Sequence, residues 1–332
     1  MAQSMDSPET LQAPPNALRR GLRSLTQRLE VRMIVLAVCL AIALSLLSPY
    51  FLTRTNIFNI LDQSVVIGIV AVGMTFVILT GGIDLSVGSV AGLTGIVLGL
   101  SVQSYPLAVA ILIAVLSGAG IGLVSGVLIA YFGLAAFVVT LGMMSVARSL
   151  CYILSGGISI SSIPESLSDF VYAKVLFIPM NVFVLLVLYL GAWLYLSYTK
   201  GGRTIYAIGS NIEAARIAGL SVIGYAILPY VVSGALSATS ALLLAGKILS
   251  VDPLAGNLLE LDAIAAVVIG GASLFGGRGS IVGTLIGVFI MVMIRNGLNL
   301  LGVSPFWQGS AIGGIIVAAV FIERLVSRRG TR

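Results

Sequence analysis

Runs of about twenty apolar residues recur along almost the whole of this chain, and they limit what it can fold into. The first, from Met33 to about Phe51, contains no charged residue. A bilayer core about 30 Å thick is crossed by about 20 apolar residues in an α-helix, which satisfies its own peptide groups where lipid cannot. On that ruler, further helices fall near 63–80, 86–101, 106–131, 135–155, 175–197, 222–246, 261–275, 280–301 and 307–323. The expected fold is an all-α integral membrane protein of about ten transmembrane helices, some of them short, glycine-broken or re-entrant. Composition agrees. The 332 residues are 58% hydrophobic and 9% charged, with mean hydropathy +1.12, whereas globular proteins carry about 25% charge.

The few charges test the helix count. Arg19, Arg20, Arg23, Arg28 and Arg32 precede the first span, and Arg324, Arg328, Arg329 and Arg332 follow the last. The 198–221 loop carries Lys200, Arg203 and Arg216 against Glu213. The 156–174 loop instead carries Glu165 and Asp169 against Lys174, and the 248–260 loop carries Asp252 and Glu260. By the positive-inside rule the first three regions are cytosolic and the last two external. Ten helices satisfy all five assignments with both termini inside. The chain therefore divides into a flexible cytosolic tail (1–32), a transmembrane domain (33–323) and a short basic tail (324–332). The first span is too long for a signal-peptide core of about 7–15 residues. The net charge of +6 sits at chain ends and in one loop, so it reports topology and a lipid partner, not nucleic acid.

Glycine, 39 of 332 residues, exceeds the usual share of about 7%. Gly118, Gly122 and Gly126 are spaced i, i+4, i+8, as are Gly279, Gly283 and Gly287, so each set forms one smooth stripe on a helix. Such stripes let helices pack closely in lipid, within one subunit, between subunits or along a path. There is also an internal echo: 81–88 reads GGIDLSVG and 270–277 reads GGASLFGG, with Gly88–Gly92 resembling Gly279–Gly283 slightly further on. It suggests a parallel duplication, a common device in transporters.

Asp84 is a carboxylate in a glycine-rich turn between apolar runs, with Ser86 beside it. Two compatible roles are open: capping the helix that starts near Leu85, or lining the route of a polar solute. Asn296 and Asn299 share a helix face and suit either helix packing or sugar hydroxyls. Arg148, Lys247, Arg295, Asp62, Glu260 and Asp262 stand in or at the ends of apolar runs, placed to snorkel or to pair with one another.

Other chemistry is missing from the sequence. The lysines Lys174, Lys200 and Lys247 are followed by Val, Gly and Ile, so no P-loop is present to hold a nucleotide. Gly277-Arg278-Gly279 lacks the βαβ context of a dinucleotide site. Without histidine, the commonest metal ligand and near-neutral proton carrier is absent. Cys39 and Cys151 read as small apolar-run residues. No catalytic residue, metal site or bound cofactor is expected.

The longest polar stretch between apolar segments is Lys200–Ser221, KGGRTIYAIGSNIEAARIAGLS, with Glu213-Ala214-Ala215 and Gly219 in an E-A-A-x-x-x-G pattern. A soluble-looking short helix held between membrane helices implies a partner on that face.

Three stretches, AVGMTFVILTGGIDLSVGS (71–89), the 198–221 loop and LDAIAAVVIGGASLFGGRGSIVGTLIG (261–287), resemble the permease subunits of bacterial ABC sugar importers of the ribose and simple-sugar branch. NGLNLLGVS (296–304) is most similar to ribose permeases, and the likeness spans about 33–323. The resemblance implies a multi-pass subunit of the bacterial cytoplasmic (inner) membrane. It also implies a second permease copy or paralogue, two cytosolic ATP-binding subunits that use ATP and Mg, and a periplasmic or extracellular sugar-binding protein. The ATPase-coupling residues would be Arg203, Gly209, Asn211, Glu213, Ala214, Ala215 and Gly219. Asp84, Ser86, Asn296 and Asn299 would serve the translocation path or its gating. One departure is visible: only seven residues separate Gly219 from Ile227-Leu228-Pro229, a shorter gap than the general EAA pattern. A stand-alone carrier or facilitator, and a structural or receptor membrane protein, are the alternative readings.

Overall fold

The computed structural model describes residues 29–175, 177–304, 307–314, 317, 318 and 321. Its helices are α1 (Leu29–Leu47), α2 (Arg54–Leu79), α3 (Val87–Ser101), α4 (Leu107–Ala130), α5 (Ala136–Ser155), α6 (Glu165–Tyr172), α7 (Met180–Tyr198), α8 (Lys200–Ser210), α9 (Ile212–Ile217), α10 (Val222–Ile248), α11 (Leu259–Ile269) and α12 (Ile281–Leu300). Residues 307–314 are also helical. A two-stranded antiparallel hairpin, β1 (Lys174–Val175) and β2 (Ile178–Pro179), precedes α7. Among the described residues seven helices (α1, α2, α4, α5, α7, α10 and α12) are long and apolar enough to cross a membrane. The α3 and α11 helices, with 15 and 11 residues, are about 22 Å and 16 Å long, shorter than a full crossing. With the stretch at 307–314, the all-α membrane fold of about ten helices is present.

Two faces follow from the alternation. One, the turn face, gathers the 80–86 turn, the 270–280 turn, α8 and the start of α1, where the Ser280 hydroxyl meets Glu30 Oε1 at 3.4 Å. The other, the loop face, gathers 156–164 and 249–258, joined by a backbone bridge between Ile160 and Val251. The hairpins α2–α3 and α11–α12 both run to the turn face and back.

The central helix is α2. Every residue from Ile67 to Leu79 is buried, under α7, α10, α11 and α12. It begins nine residues before the expected 63, with Thr53 capping it by accepting the Asn56 amide at 3.4 Å. The extra turns carry Asn56 and Asp62, polar residues that read as loop until tertiary partners satisfy them. By contrast α11 stops at Ile269 instead of 275, and α7 starts at Met180 instead of 175, behind the hairpin. α1 begins at Leu29, so residues 29–32 are helical and not tail. The remainder of both expected tails lies outside the described residues.

The echoed turns end their helices by the same device. Gly81 and Gly271 adopt φ +80° and +86°. In each, two amides fold back on the last turn: Gly81 to Ile78 and Gly82 to Val77, Gly271 to Val268 and Ala272 to Val267. This is a Schellman close, which favours glycine because a Cβ is strained at positive φ. The matching glycines are 81 and 271, one residue away from the alignment read off the sequence. The second echo fails: Ser280 is the N-cap of α12, whereas Ser89 lies inside α3.

The first glycine stripe is packed within the subunit. A Cβ on Gly118 would come 2.4 Å from the Gly234 carbonyl, on Gly122 2.1 Å from the Tyr230 carbonyl, and on Gly126 3.0 Å from the Ile227 carbonyl, all on α10. The second stripe is only partly helical. Gly283 and Gly287 lie against the Gly270 and Ala266 carbonyls of the α11 end. Gly279 instead precedes the N-cap with φ +152°, because the Ser280 hydroxyl starts the helix by accepting the Gly283 amide at 2.9 Å.

Overpacking at such a backbone contact costs about 1–3 kcal/mol or more. Gly122→Leu should therefore lower the thermal unfolding midpoint in detergent, while Gly120→Ala, with nothing within 4 Å of its Cβ position, should leave it unchanged or slightly raised.

Candidate functional site

The expected coupling loop is two helices and not one. Thr199 starts α8 by accepting the Gly202 amide at 3.0 Å, and α8 buries Gly201, Gly202, Thr204, Ile205 and Ile208. Asn211 then breaks the path and caps α9, its side chain accepting the Ala214 amide at 2.9 Å. Two amides close α9, Gly219 to Arg216 and Leu220 to Ala215, with Gly219 at φ +76°. On this short helix only Ala215 is buried. Glu213 and Arg216 form an exposed ion pair at 3.0 Å. Ile217 is 87% exposed, at a tip where water would ordinarily exclude it. Arg203 and Ala214 are exposed as well.

Gly209 does something else. A Cβ there would stand 1.8 Å from the Leu79 carbonyl and 2.5 Å from the Gly277 amide. Those two groups are bonded to each other at 3.0 Å, so the end of α8 lies on the one hydrogen bond that joins the two echoed turns. The Tyr206 hydroxyl reinforces the contact, donating to the Gly279 carbonyl at 2.9 Å. The expected coupling residues thus separate into an exposed set, Arg203 on α8 and those at and around α9, and a half-buried foot at Gly209.

Asp84 is 3% exposed. Its Oδ1 accepts the Ser86 amide at 3.0 Å and the Ser86 hydroxyl at 2.6 Å, and its Oδ2 accepts the Ser233 hydroxyl of α10 at 2.8 Å. The capping expectation needs correcting. α3 begins at Val87 with Ser86 as N-cap, so the carboxylate grips the residue before the helix and ties the turn to α10. Asn296, buried, and Asn299, exposed, both have side-chain partners. Asn296 and Asn56 exchange amide bonds at 2.9 and 2.8 Å, and Asn299 accepts from Gln308 at 2.6 Å.

At the loop face a cavity of about 280 Å³ lies between α2, α3, α10, α11 and α12, under the 249–258 loop. Charges noted in the sequence meet here as pairs. Lys247 bonds Asp62, whose other oxygen accepts from Asn181 at 2.7 Å. Arg295 bonds Asp262 at 2.8 Å. Their grouping into one cavity was not legible, since it requires four helices to bring their charged positions to one depth. Arg148 donates to the Pro253 and Ala255 carbonyls at 2.6 and 3.0 Å and holds the loop. Toward the turn face the cavity ends at Ser240. About 10 Å further along α10, Ser233 reaches Asp84, and a Cβ on Gly73 of α2 would be 2.7 Å from the Ser233 Cα. The two sites are separated by backbone contact.

Asp252 latches the two loops. The Ser159 hydroxyl donates to it at 2.5 Å and the Leu254 amide at 2.7 Å, and these bonds hold its carboxyl below the ordinary 3.8. A lowered folded pKa gives stability that is present above the ordinary value and lost as pH falls through the lowered one. Hydrogen exchange at the Ile160 and Val251 amides, corrected for intrinsic rate, should stay flat from about pH 8 to 5 and rise only below about pH 4. At the turn face, Gly209→Ala should cost about 1–3 kcal/mol by thermal unfolding, whereas Gly224→Ala, whose Cβ would meet only the Ser221 hydroxyl at 3.7 Å, should cost far less.

A family model described as "Branched-chain amino acid transport system / permease component" matches residues 56–320. The chain is 42% identical over 299 residues to the ribose import permease protein of Escherichia coli, covering 88% of this chain and 92% of that one. It is 42% identical over 288 residues to the ribose import permease protein of Bacillus subtilis (86% and 89% covered). It is 36% identical over 296 residues to the D-allose transport system permease protein of Escherichia coli (89% and 91% covered). No solved structure matches. Matched through its helical core and aligned nearly end to end with these relatives, the chain belongs to this family of multi-pass membrane permease components.

Proposed function

We propose that this chain is the membrane-spanning subunit of an ATP-driven importer, forming with a second copy or paralogue the path for ribose or a similar monosaccharide. The observation that carries the reading is α9: a capped, exposed helix with an apolar tip, standing on α8, whose foot rests on both glycine-rich turns. Two cytosolic ATPases using ATP and Mg dock on α9 through Glu213, Ala214 and the Gly219 exit. Their closure moves α8, and Gly209 carries that motion to Leu79 and Gly277. The Asp84 tie between the 80–86 turn and α10 then opens as the gate, Ser86 moving with it. The relatives' printed names supply the sugar class.

The turn face is cytosolic in this reading. It carries Lys200, Arg203, Arg216 and Arg278 against Glu213, while the loop face carries Glu165, Asp169 and Asp252 against Arg54 and Lys174, the larger share of basic residues lying inside as the positive-inside rule requires. Both termini are then cytosolic, and a soluble sugar-binding protein delivers its load to the loop face. That protein supplies the specificity, so the path itself needs only weak affinity.

Exposed ion pairs add little stability, so Glu213→Arg should insert and fold normally yet abolish uptake. Gly219→Leu should do the same, because a side chain at φ +76° disfavours the exit turn. The assay is uptake of labelled ribose in cells lacking their own permease and carrying this gene with its neighbouring ATPase and binding-protein genes, the ATPase intact or Walker-dead. Uptake that disappears with the dead ATPase supports the importer. Uptake that persists overturns it in favour of a facilitator. In the same cells Asp84→Ala should lose transport with folding intact.

A further inference from the structure

The two ion pairs in the loop-face cavity need a physical reason. Charges set among apolar helices are costly in a membrane protein, and a buried pair seldom stabilises more than apolar residues of the same volume. The Asp262 side chain is only 4% exposed and that of Arg295 30%. Both terminal nitrogens of Arg295 reach Asp262, but its Nε is buried without a hydrogen-bond partner. A buried donor left unmade is destabilising. Lys247 and Asp62 line the same space from α10 and α2, each about one-third exposed.

We propose that this cavity is a low-affinity binding site, within each single subunit, for a neutral polyhydroxylated solute of monosaccharide size. The inference rests on the importer reading and adds a site to it. The volume of about 280 Å³ is close to the lower end of small-molecule sites, about 300 Å³, and suits one sugar ring. The charges select the chemistry. Asp62 and Asp262 each already hold a cation, and Asp252 at the loop edge is taken up by the Ser159 hydroxyl and the Leu254 amide, so a charged solute has to break one of these bonds, whereas a hydroxyl can donate to a carboxylate oxygen and accept from Lys247 or Arg295 with both pairs intact. Val66, Ile67 and Leu244 supply apolar wall for the C–H faces of a ring, and among the described lining residues none is aromatic, which keeps affinity weak. One pair joins α2 to α10 and the other α11 to α12, so an occupant touching both would connect the two hairpins that run to the turn face.

The test uses the full chain in membranes with its ATPase and binding-protein genes. Gln63, half-buried on the cavity wall, is replaced as Gln63→Cys in a Cys39→Ser background, since Cys39 is exposed and Cys151 buried. The rate of labelling by a small methanethiosulfonate reagent is measured with ribose, galactose, ribose 5-phosphate or glucosamine present. The expected result is labelling slowed by a neutral sugar at millimolar concentration and not by the phosphate or the amine. The double variant Arg295→Gln with Asp262→Asn removes both charges together; it should label at the parent rate but need at least tenfold more sugar for protection. No labelling, no protection by a neutral sugar, stronger protection by a charged analogue, or unchanged protection in the double variant would each overturn the site. ATP-dependent uptake is measured in the same membranes. Uptake without protection overturns the cavity site alone, and protection without ATP-dependent uptake overturns the importer reading alone.

Discussion

Backbone against backbone, made possible by glycine, is the contact on which this structure depends. Lipid gives helices no hydrophobic reason to associate, so they hold by close approach and by polar bonds. Gly118 and Gly122 let α4 lie on the carbonyls of Gly234 and Tyr230, Gly283 and Gly287 set α12 on the end of α11, and Gly209 sets α8 on Leu79 and Gly277. At each of these places a single added carbon would collide with main-chain atoms, which cannot swing aside as a side chain can.

That constraint also shapes the proposed mechanism. The α8 foot presses on a hydrogen bond between two turns that end their helices in the same way, so a push on α9 reaches both hairpins through rigid backbone. The Asp84 carboxylate holds one of those turns to α10 through a single serine hydroxyl. At the opposite face the cavity is closed below by the α2–α10 contact. A solute held in the cavity therefore cannot advance toward the turn face within the subunit unless those helices separate.

Polar residues follow the same logic of satisfaction. Asn56 and Asn296, 240 positions apart, close on each other, as do Asp62 with Lys247 and Asp262 with Arg295. Asn56 and Asp62 fell outside the expected helix, and Lys247 just past one, because nothing local satisfies them. For the same reason α2 extends nine residues beyond the expected boundary. Of the two readings open for the asparagines at 296 and 299, helix packing or sugar contact, their bonds to Asn56 and Gln308 suit the first.

The sequence by itself determined the membrane fold, about ten helices, the loops that share a face, and the exposed pattern around Glu213 and Gly219. These rest on local quantities: runs of apolar residues, the sign of charge between them, and glycine where a helix must end at positive φ. Only the tertiary structure decided that the stripe on α4 packs within the subunit, that Gly209 is a half-buried foot against Leu79 and Gly277, that Gly279 precedes its helix, and that five scattered charges line one cavity. Those outcomes depend on which helix lies beside which, and a segment's own residues do not encode the neighbour that will cover it.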